Sequence, residues 1–238
     1  MSGKSKSNVK MRSLRMESLE NRELMAADVT AALSAGTLQV TGTDKADIVR
    51  INQGRNTISV SVGLNSPFAS FAANEVRNLR INMNGGNDKV YVNLQQAALD
   101  SIFVDMGRGV NEGMDLRLGS VGTMNIDAVA SLHTNASISG TINGTASVDF
   151  GSGAGDDVLT VWNSSARSLN VKMGGGDDRC VLTRSQVDRA MIDLGAGDDN
   201  LSNNTSDVLG GTINGGSAVR GNKWFGKRFG KAVSVKGF

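Results

Sequence analysis

Three acidic pairs, each preceded by glycines, are the residues of this sequence best suited to chemistry. They lie in the loops Gly-Ala-Gly-Asp-Asp at 153–157, Gly-Gly-Gly-Asp-Asp at 174–178 and Gly-Ala-Gly-Asp-Asp at 195–199, so that equivalent aspartates are 21 residues apart. A fixed period of about 20 to 50 residues indicates a solenoid, in which one repeat cannot bury its apolar face alone. We therefore expect the pairs to recur at one corner of successive coils.

Stacked coils would place these carboxylates in a column. At a strand spacing of ~4.8 Å, like charges opposite one another repel, and a hard divalent cation with its oxygen ligands removes that repulsion. Glycine permits positive φ, which lets the loop aim carbonyl oxygens at a common point. The spacing thus predicts one file of at most two or three hard divalent cations between the C-terminal coils, for which Ca²⁺ is the natural ion. The predicted ligands are Asp88, Asp156, Asp157, Asp177, Asp178, Asp198 and Asp199, with Gly153, Gly155, Gly174, Gly176, Gly195 and Gly197.

Other interpretations of the same loops remain open. The Gly-Asp corners could be plain turns, because an aspartate side chain binds nearby main-chain amides. A dinucleotide site is disfavoured because a strand follows the glycines, not a helix. A glycosidase pair is disfavoured because Asp156 and Asp157 are sequence neighbours whose side chains should point to opposite sides of a strand.

The segments around the loops predict strands. Before each loop, polar and apolar residues alternate, over 148–152, 169–173 and 190–194. We expect the equivalent apolar positions of successive coils to face the interior. After the loops, Leu159, Cys180 and Leu201 are again 21 residues apart and belong inside. One coil is therefore a strand, a Gly-Asp corner, a second strand and a return. The lone Cys180 is expected to be a buried thiol.

Weaker copies of the pattern extend over most of the chain. They precede or include Asp47, Val62, the loop 85–88, the loop 107–109 and Ala128. We predict an all-β fold: a parallel β-solenoid of about eight turns of ~21 residues, with basic tails at both ends. Residues 28–75 are expected to build the first turns, with the two phenylalanines of 67–71 as a cover. The content of 30 Gly, one Pro and 4% aromatic residues suits such a narrow coil.

Charge divides the chain into three segments. Residues 1–26 hold six basic and three acidic residues, residues 216–238 hold six basic residues and no acid, and the middle has an excess of acid. We predict a targeting segment over 1–30, the solenoid over 31–216 and a basic aromatic segment over 217–238. The last segment could cap the solenoid or bind anionic partners. No stretch approaches the ~18 apolar residues of a membrane-spanning helix. The single His133 is expected at the surface or in a loop, not as a catalytic base.

Two stretches resemble known families. Residues 19–26, Leu-Glu-Asn-Arg-Glu-Leu-Met-Ala, resemble the N-terminal LExRxLLA motif of planctomycete secreted and surface proteins. The Gly-Asp loops resemble the repeats-in-toxin, or haemolysin-type, calcium-binding motif. These resemblances imply export, an extracellular or cell-surface location and calcium as the bound ion. The family repeat recurs every nine residues, whereas here one corner occurs per ~21 residues.

Together these features predict a non-enzymatic, extracytoplasmic calcium-binding β-solenoid with a structural, adhesive or matrix role. The alternative is a protein that binds, or less favourably cleaves, a polyanion or polysaccharide. In that case anionic polysaccharide or other cell-surface components would contact the basic C-terminal segment. Specific nucleic-acid binding is not expected.

Overall fold

The computed structural model describes residues 24–26 and 29–238, and is nearly all β. About 65% of it is strand, arranged as parallel stacked coils in a β-solenoid of about 7 turns with ~22 residues per turn. The predicted fold class is therefore confirmed. The proposed targeting segment lies almost wholly outside the described residues.

The N-terminal part consists of short strands and one 3₁₀ turn at Ala73–Glu75. The strands are β1 (Leu24–Ala26), β2 (Val29–Ser34), β3 (Thr37–Thr41), β4 (Ile48–Gln53), β5 (Thr57–Val62), β6 (Ala69–Ala72) and β7 (Asn78–Asn82). Of these strands, β3, β4 and β7 join the parallel stack: β3 pairs with β7, and both β4 and β7 pair with the strand that follows β7.

The first turns differ from the prediction because part of this region is antiparallel. Strand β5, expected as a coil of the parallel stack, pairs antiparallel with β4 and then with β6. The connection 54–56 is long enough for a hairpin and too short for a parallel crossover. Strands β2, β5 and β6 thereby extend both sheets at the N-terminal end, and Phe71 of β6 is buried in the core.

Three long strands form the middle of the solenoid. They are β8 (Lys89–Asp105), β9 (Asn111–Asp127) and β10 (His133–Asp149), and each bends from one sheet into the other at an irregularity in its register. The later coils divide into β11 (Val158–Trp162), β12 (Ser165–Lys172), β13 (Arg179–Thr183), β14 (Gln186–Asp193), β15 (Asn200–Asn204) and β16 (Asp207–Asn214).

Every coil contributes one strand to each of two sheets. The pre-corner sheet contains the strands that enter the Gly-Asp corner, and the post-corner sheet contains those that leave it. In the post-corner sheet, Leu159, Cys180 and Leu201 stand opposite one another and are fully buried, as predicted. The return to the next pre-corner strand is the second corner, at 163–164 and its equivalents.

The register before the first complete Gly-Asp loop is two residues away from the predicted one. Val148 pairs with Val171, whereas the 21-residue spacing placed it opposite Leu169. Phe150 therefore takes the inward position next to the corner, and Ser152 is exposed. This corner is two residues longer than the next one, and the spacing of the aspartates alone does not show where the extra residues lie.

The core is a narrow file of aliphatic side chains between the two sheets. Its members alternate with outward polar residues along each strand, as in Leu79, Ile81 and Met83. Burying each such side chain contributes roughly 1.5–3 kcal/mol. Because every coil contacts only its neighbours, this apolar burial is shared between adjacent coils.

The basic C-terminal segment forms the last coil. Strand β17 (Lys223–Gly226) pairs parallel with β15, and β18 (Ala232–Lys236) pairs parallel with β16. Trp224 follows Leu201 in register, and its ring stacks on Phe229 with 5.0 Å between ring centroids. This agrees with a capping role. In the part of the chain that the structure describes, no helix is long and apolar enough to cross a membrane.

Candidate functional site

The structure separates the two aspartates of each pair. Asp157, Asp178 and Asp199 are at most 4% exposed and form an inner column. Asp156 and Asp177 are exposed and, with the half-buried Asp198, form an outer column. Adjacent side chains on an extended chain point to opposite sides, so one pair supplies both columns.

The inner column is joined by hydrogen bonds that point toward the N-terminal coil. Oδ1 of Asp178 accepts the main-chain N–H of Asp157 at 2.8 Å, and Oδ1 of Asp199 accepts that of Asp178 at 2.8 Å. The series continues at both ends, where Asp157 accepts Thr134 N–H at 2.6 Å and Asn222 accepts Asp199 N–H at 2.7 Å. Each inner carboxylate thus holds the coil before it.

The outer column is joined in the opposite direction. Oδ1 of Asp156 accepts the N–H of Asp177 at 2.7 Å, and Oδ1 of Asp177 accepts that of Asp198 at 2.9 Å. Two neighbouring coils are therefore connected by a reciprocal pair of carboxylate–amide bonds, which we call the aspartate clamp. Such a hydrogen bond contributes about 0.5–1.5 kcal/mol, and about 1.5–3 kcal/mol when the acceptor is ionised. The clamp uses the aspartate–amide hydrogen bonds expected of plain turns, but here these bonds join neighbouring coils.

The same columns extend upstream through residues that spacing alone did not identify. The predicted ligand Asp88 is fully buried, accepts Asp47 N–H at 2.8 Å and donates its own N–H to Glu112 Oε2 at 2.9 Å. Glu112 lies 24 residues after Asp88. Because this interval is longer than the 21-residue repeat, the spacing did not identify Glu112 as part of the inner column. In the outer column, Nδ1 of His133 lies 3.0 Å from the main-chain nitrogen of Asp156 and 3.3 Å from its carbonyl oxygen.

The predicted glycines fall into two groups. Gly174, Gly176, Gly195 and Gly197 have positive φ, while Gly153 and Gly155 do not. A Cβ on Gly197 would lie 1.8 Å from Gly176 O, and one on Gly155 would lie 1.2 Å from Leu132 O. Most of these glycines are therefore required by the close stacking of main chains at the corner.

Some of the glycine carbonyls expected to face a cation take part in coil-to-coil bonds. The carbonyl of Gly174 accepts the N–H of Ala196 at 2.9 Å, and that of Gly195 accepts the N–H of Ser217 at 2.9 Å. A carbonyl has two lone pairs, so such a bond leaves one acceptor position.

Burial dominates the electrostatics of the inner column. Desolvation raises the pKa of Asp178 to about 8, of Asp157 and Glu112 to about 7, and of Asp88 and Asp199 to about 6. Neighbouring carboxylates add to the rise, while the main-chain donors oppose it. The outer Asp198 differs, because main-chain donors led by Arg220 N–H lower its pKa.

Each inner carboxylate uses one oxygen to accept a main-chain N–H of the preceding coil. Among the residues described, the second oxygens of four of them are buried without a hydrogen-bond partner: Asp88 Oδ2, Glu112 Oε1, Asp178 Oδ2 and Asp199 Oδ2. A buried polar atom without a partner costs free energy, about 1–3 kcal/mol and more when it is charged. The column is therefore incomplete as a hydrogen-bonding system.

The donor set fits a hard cation in chemistry, since it consists of carboxylate and main-chain oxygens. Within residues 24–26 and 29–238, however, no group of three or more His, Cys, Asp or Glu lies close enough to hold a metal ion. Side chains alone therefore do not supply a full shell. A Ca²⁺ ion here would need main-chain carbonyls and water in addition to the carboxylate oxygens.

A serine ladder occupies the second corner, the return between the post-corner and pre-corner strands. Ser164, Ser185 and Ser206 are buried, and Oγ of Ser185 accepts Ser164 N–H at 3.2 Å while Oγ of Ser206 accepts Ser185 N–H at 3.0 Å. The serines recur every 21 residues, so the repeat that revealed the aspartates also contained this signal. At both corners, therefore, side-chain oxygens accept main-chain hydrogen bonds from the preceding coil.

A third polar column lies at the end of the pre-corner sheet. Asp105, Asp127 and Asp149 stand opposite one another, and each accepts the N–H two residues further along, at 2.9, 3.2 and 2.9 Å. These Asx turns start the corner.

Searches of protein-family models, curated proteins and solved structures gave no match to this chain.

Proposed function

We propose that this chain is a structural or adhesive β-solenoid of the cell exterior that binds Ca²⁺ along its Gly-Asp corners. The observation that carries the proposal is the file of buried carboxylate oxygens without partners in the inner column. The exterior location rests on the resemblance of residues 19–26 to the export-associated motif.

The electrostatics of the column support a cation. Burial raises the pKa of Asp178 to about 8, which shows that the site disfavours the charged carboxylate when only protein atoms are present. A bound Ca²⁺ supplies positive charge that stabilises the ionised carboxylates and offsets their mutual repulsion. Asp178 and Asp199 are the best candidate ligands, because both have a buried oxygen outside the clamp.

The protein's own residues supply the rest of the arrangement. The clamp fixes one oxygen of each inner carboxylate on the preceding coil, which sets the orientation of the other oxygen. The glycines permit the close approach of main chains that brings carbonyl oxygens to the same corner. Asp88 and Glu112 provide a second pair of buried oxygens without partners upstream.

Thermal unfolding followed by circular dichroism tests this proposal. We expect millimolar Ca²⁺ to raise the unfolding midpoint above that in Mg²⁺ or chelator, because a ligand at 100 times its Kd stabilises the folded state by ~2.7 kcal/mol. Asp178→Asn retains the clamp acceptor and removes the charge, so it should lose most of the rise. Exposed Asp188→Asn is the matched control. Coincident curves in all three solutions would leave the corners as hydrogen-bonded turns only.

A second candidate function, polyanion binding, is favoured by the last coil. Arg220 and Lys227 pair with Asp198 and Asp207, whereas the other basic residues of this coil form no ion pair within the described residues. These are Lys223, Arg228, Lys231 and Lys236, all exposed. Phe225, beside them, is 52% exposed. The arrangement is suited to an anionic polymer.

Retention on immobilised heparin at rising salt tests the second function. Substituting the four unpaired basic residues with serine should lower the salt concentration needed for elution. The same number of basic residues changed elsewhere, at Lys89, Arg117, Lys172 and Arg189, provides a control for net charge. Equal elution of the two variants would show that attraction to heparin depends on charge alone and not on this coil.

A further inference from the structure

A polar groove runs along the second corner, on the opposite edge of the coils from the Gly-Asp column. It is open to solvent: one part has a volume of about 600 Å³ and the next about 410 Å³, and the two parts share Thr141 and Asn163 in their walls. The groove therefore crosses several successive coils in the direction of the solenoid axis.

One wall of the groove carries three side chains held at a conformational cost. Asn163, Arg184 and Thr205 have φ of 46°, 47° and 66°, and all three are exposed. This left-handed region favours glycine, and it is unusual for a β-branched residue such as Thr205. Glycine is used freely at the other corner, so the strain here points to a role for the side chains.

The side chains of the groove are arranged in regular rows. Asn163, Arg184 and Thr205 are 21 residues apart, and a second row follows the corner at Ser165 and Gln186. Beneath them lies the buried serine ladder, whose bonds fix the main chain of each corner. The exposed donors and acceptors are therefore presented on a rigid base with the strand spacing of ~4.8 Å.

An aromatic ring lies beside Asn163, where the two parts of the groove meet. Trp162 lines the 410 Å³ part, and its Nε1 donates to Ser137 Oγ of the preceding coil at 3.0 Å. This hydrogen bond fixes the orientation of the ring. A half-buried tryptophan offers a flat apolar surface without requiring new ordering on binding.

We propose that this groove binds a neutral, linear polysaccharide. Such a ligand is extended and periodic, has hydroxyl groups that match the amide and hydroxyl side chains, and has apolar C–H faces suited to Trp162. The groove carries one basic residue, Arg184, and one acidic residue, Asp207, so its charge does not favour a polyanion. The site is separate from the carboxylate column and does not depend on calcium.

The full-length protein, run by affinity electrophoresis through gels containing a soluble polysaccharide, tests this inference. The neutral probes are hydroxyethylcellulose, galactomannan and dextran, and the anionic comparators are alginate and heparin. We expect at least one neutral polymer to retard the wild-type chain. The triple variant Asn163→Gly, Arg184→Gly and Thr205→Gly relieves the left-handed strain, so it should keep its unfolding midpoint while losing about tenfold in affinity, or ~1.4 kcal/mol.

Thr212→Ala, on the exposed face of the pre-corner sheet, is the control and should bind as the wild type does. Three results would overturn the inference: no retardation by any neutral polymer, equal retardation of the glycine variant, or retardation by alginate and heparin alone. The last result would assign polysaccharide binding to the basic last coil and not to this groove.

Discussion

The main-chain N–H of Asp157 donates to Oδ1 of Asp178, one coil further along, at 2.8 Å. The preceding residue Asp156 accepts from Asp177 in the same two coils at 2.7 Å. An Asp-Asp pair therefore has two different functions in one corner. This reciprocity explains why the pair recurs, since the inner carboxylate accepts from the preceding coil and the outer carboxylate accepts from the following one.

Removing the inner carboxylate should be more damaging than neutralising it. Asp178→Ala leaves the buried N–H of Asp157 without its acceptor, so we expect a loss of about 1–3 kcal/mol in unfolding free energy. Asp178→Asn retains an amide oxygen in that position and should lose less. Urea denaturation of both variants measures the difference, with Asp188→Ala as an exposed reference. Equal losses for Asn and Ala would argue against the clamp.

Stability without calcium should fall as the pH rises. The folded-state pKa of Asp178 is raised to about 8 from an ordinary value of 3.8. Between these values the folded chain binds more protons than the unfolded chain, so the slope of unfolding free energy with pH is negative. The contribution is complete below about pH 4 and is lost as the pH passes through about 8. We expect the midpoint to decline from pH 5 to pH 8.5.

The variant Asp178→Asn serves as the control for this pH dependence, because its side chain does not titrate. Its decline over the same range should be shallower. The remaining slope comes from Asp157 and Glu112, whose pKa values are raised to about 7, and from Asp88 and Asp199, whose pKa values are raised to about 6. A midpoint that rises with pH in the wild type would contradict the assignment of protons to the folded column.

Two glycines of the corner should respond differently to alanine. At Gly197, φ is +147° and a Cβ would lie 1.8 Å from Gly176 O, so we expect a loss of several kcal/mol. At Gly153 the nearest atom to a Cβ is Ser131 O at 3.6 Å, an ordinary contact, so we expect little change. Thermal unfolding of the two variants compares them directly. A similar midpoint for both would mean that the stacked main chains can separate at little cost.

The serine ladder should contribute measurably to the second corner. Ser185→Ala removes the acceptor of the buried Ser164 N–H, and we expect a loss of about 1–3 kcal/mol. Ser202→Ala, on the outer face of the post-corner sheet, should change stability by less than about 0.5 kcal/mol. Urea midpoints separate the two, and an unaffected Ser185→Ala would show that water replaces the hydroxyl.

The sequence predicted the coil well where one repeat length holds. The 21-residue spacing of the aspartates identified the corner and the parallel stack. It also predicted the burial of Leu159, Cys180 and Leu201. It failed where the number of residues between equivalent positions changes, as at Phe150 and Glu112. A period-2 pattern also does not distinguish parallel from antiparallel pairing, which is why β5 was misassigned.

The bonding within the site was harder to predict than its location. The sequence allowed the aspartates to act as turn residues or as ligands, and each inner carboxylate has one oxygen in the clamp and one without a partner. The direction of each bond depends on which side of the strand a residue faces and on the stagger between coils. These properties are set by the three-dimensional stack and not by residue type.

Isothermal titration of the wild-type chain with Ca²⁺ at pH 7, in two buffers of different ionisation enthalpy, tests the central claim most directly. If calcium binds the inner column, binding must displace protons from carboxyls whose pKa is raised to about 7 and 8. We expect saturable heat, net proton release, and loss of both in Asp178→Asn. No binding, or binding without proton release that persists in Asp178→Asn, would contradict a calcium site at this corner.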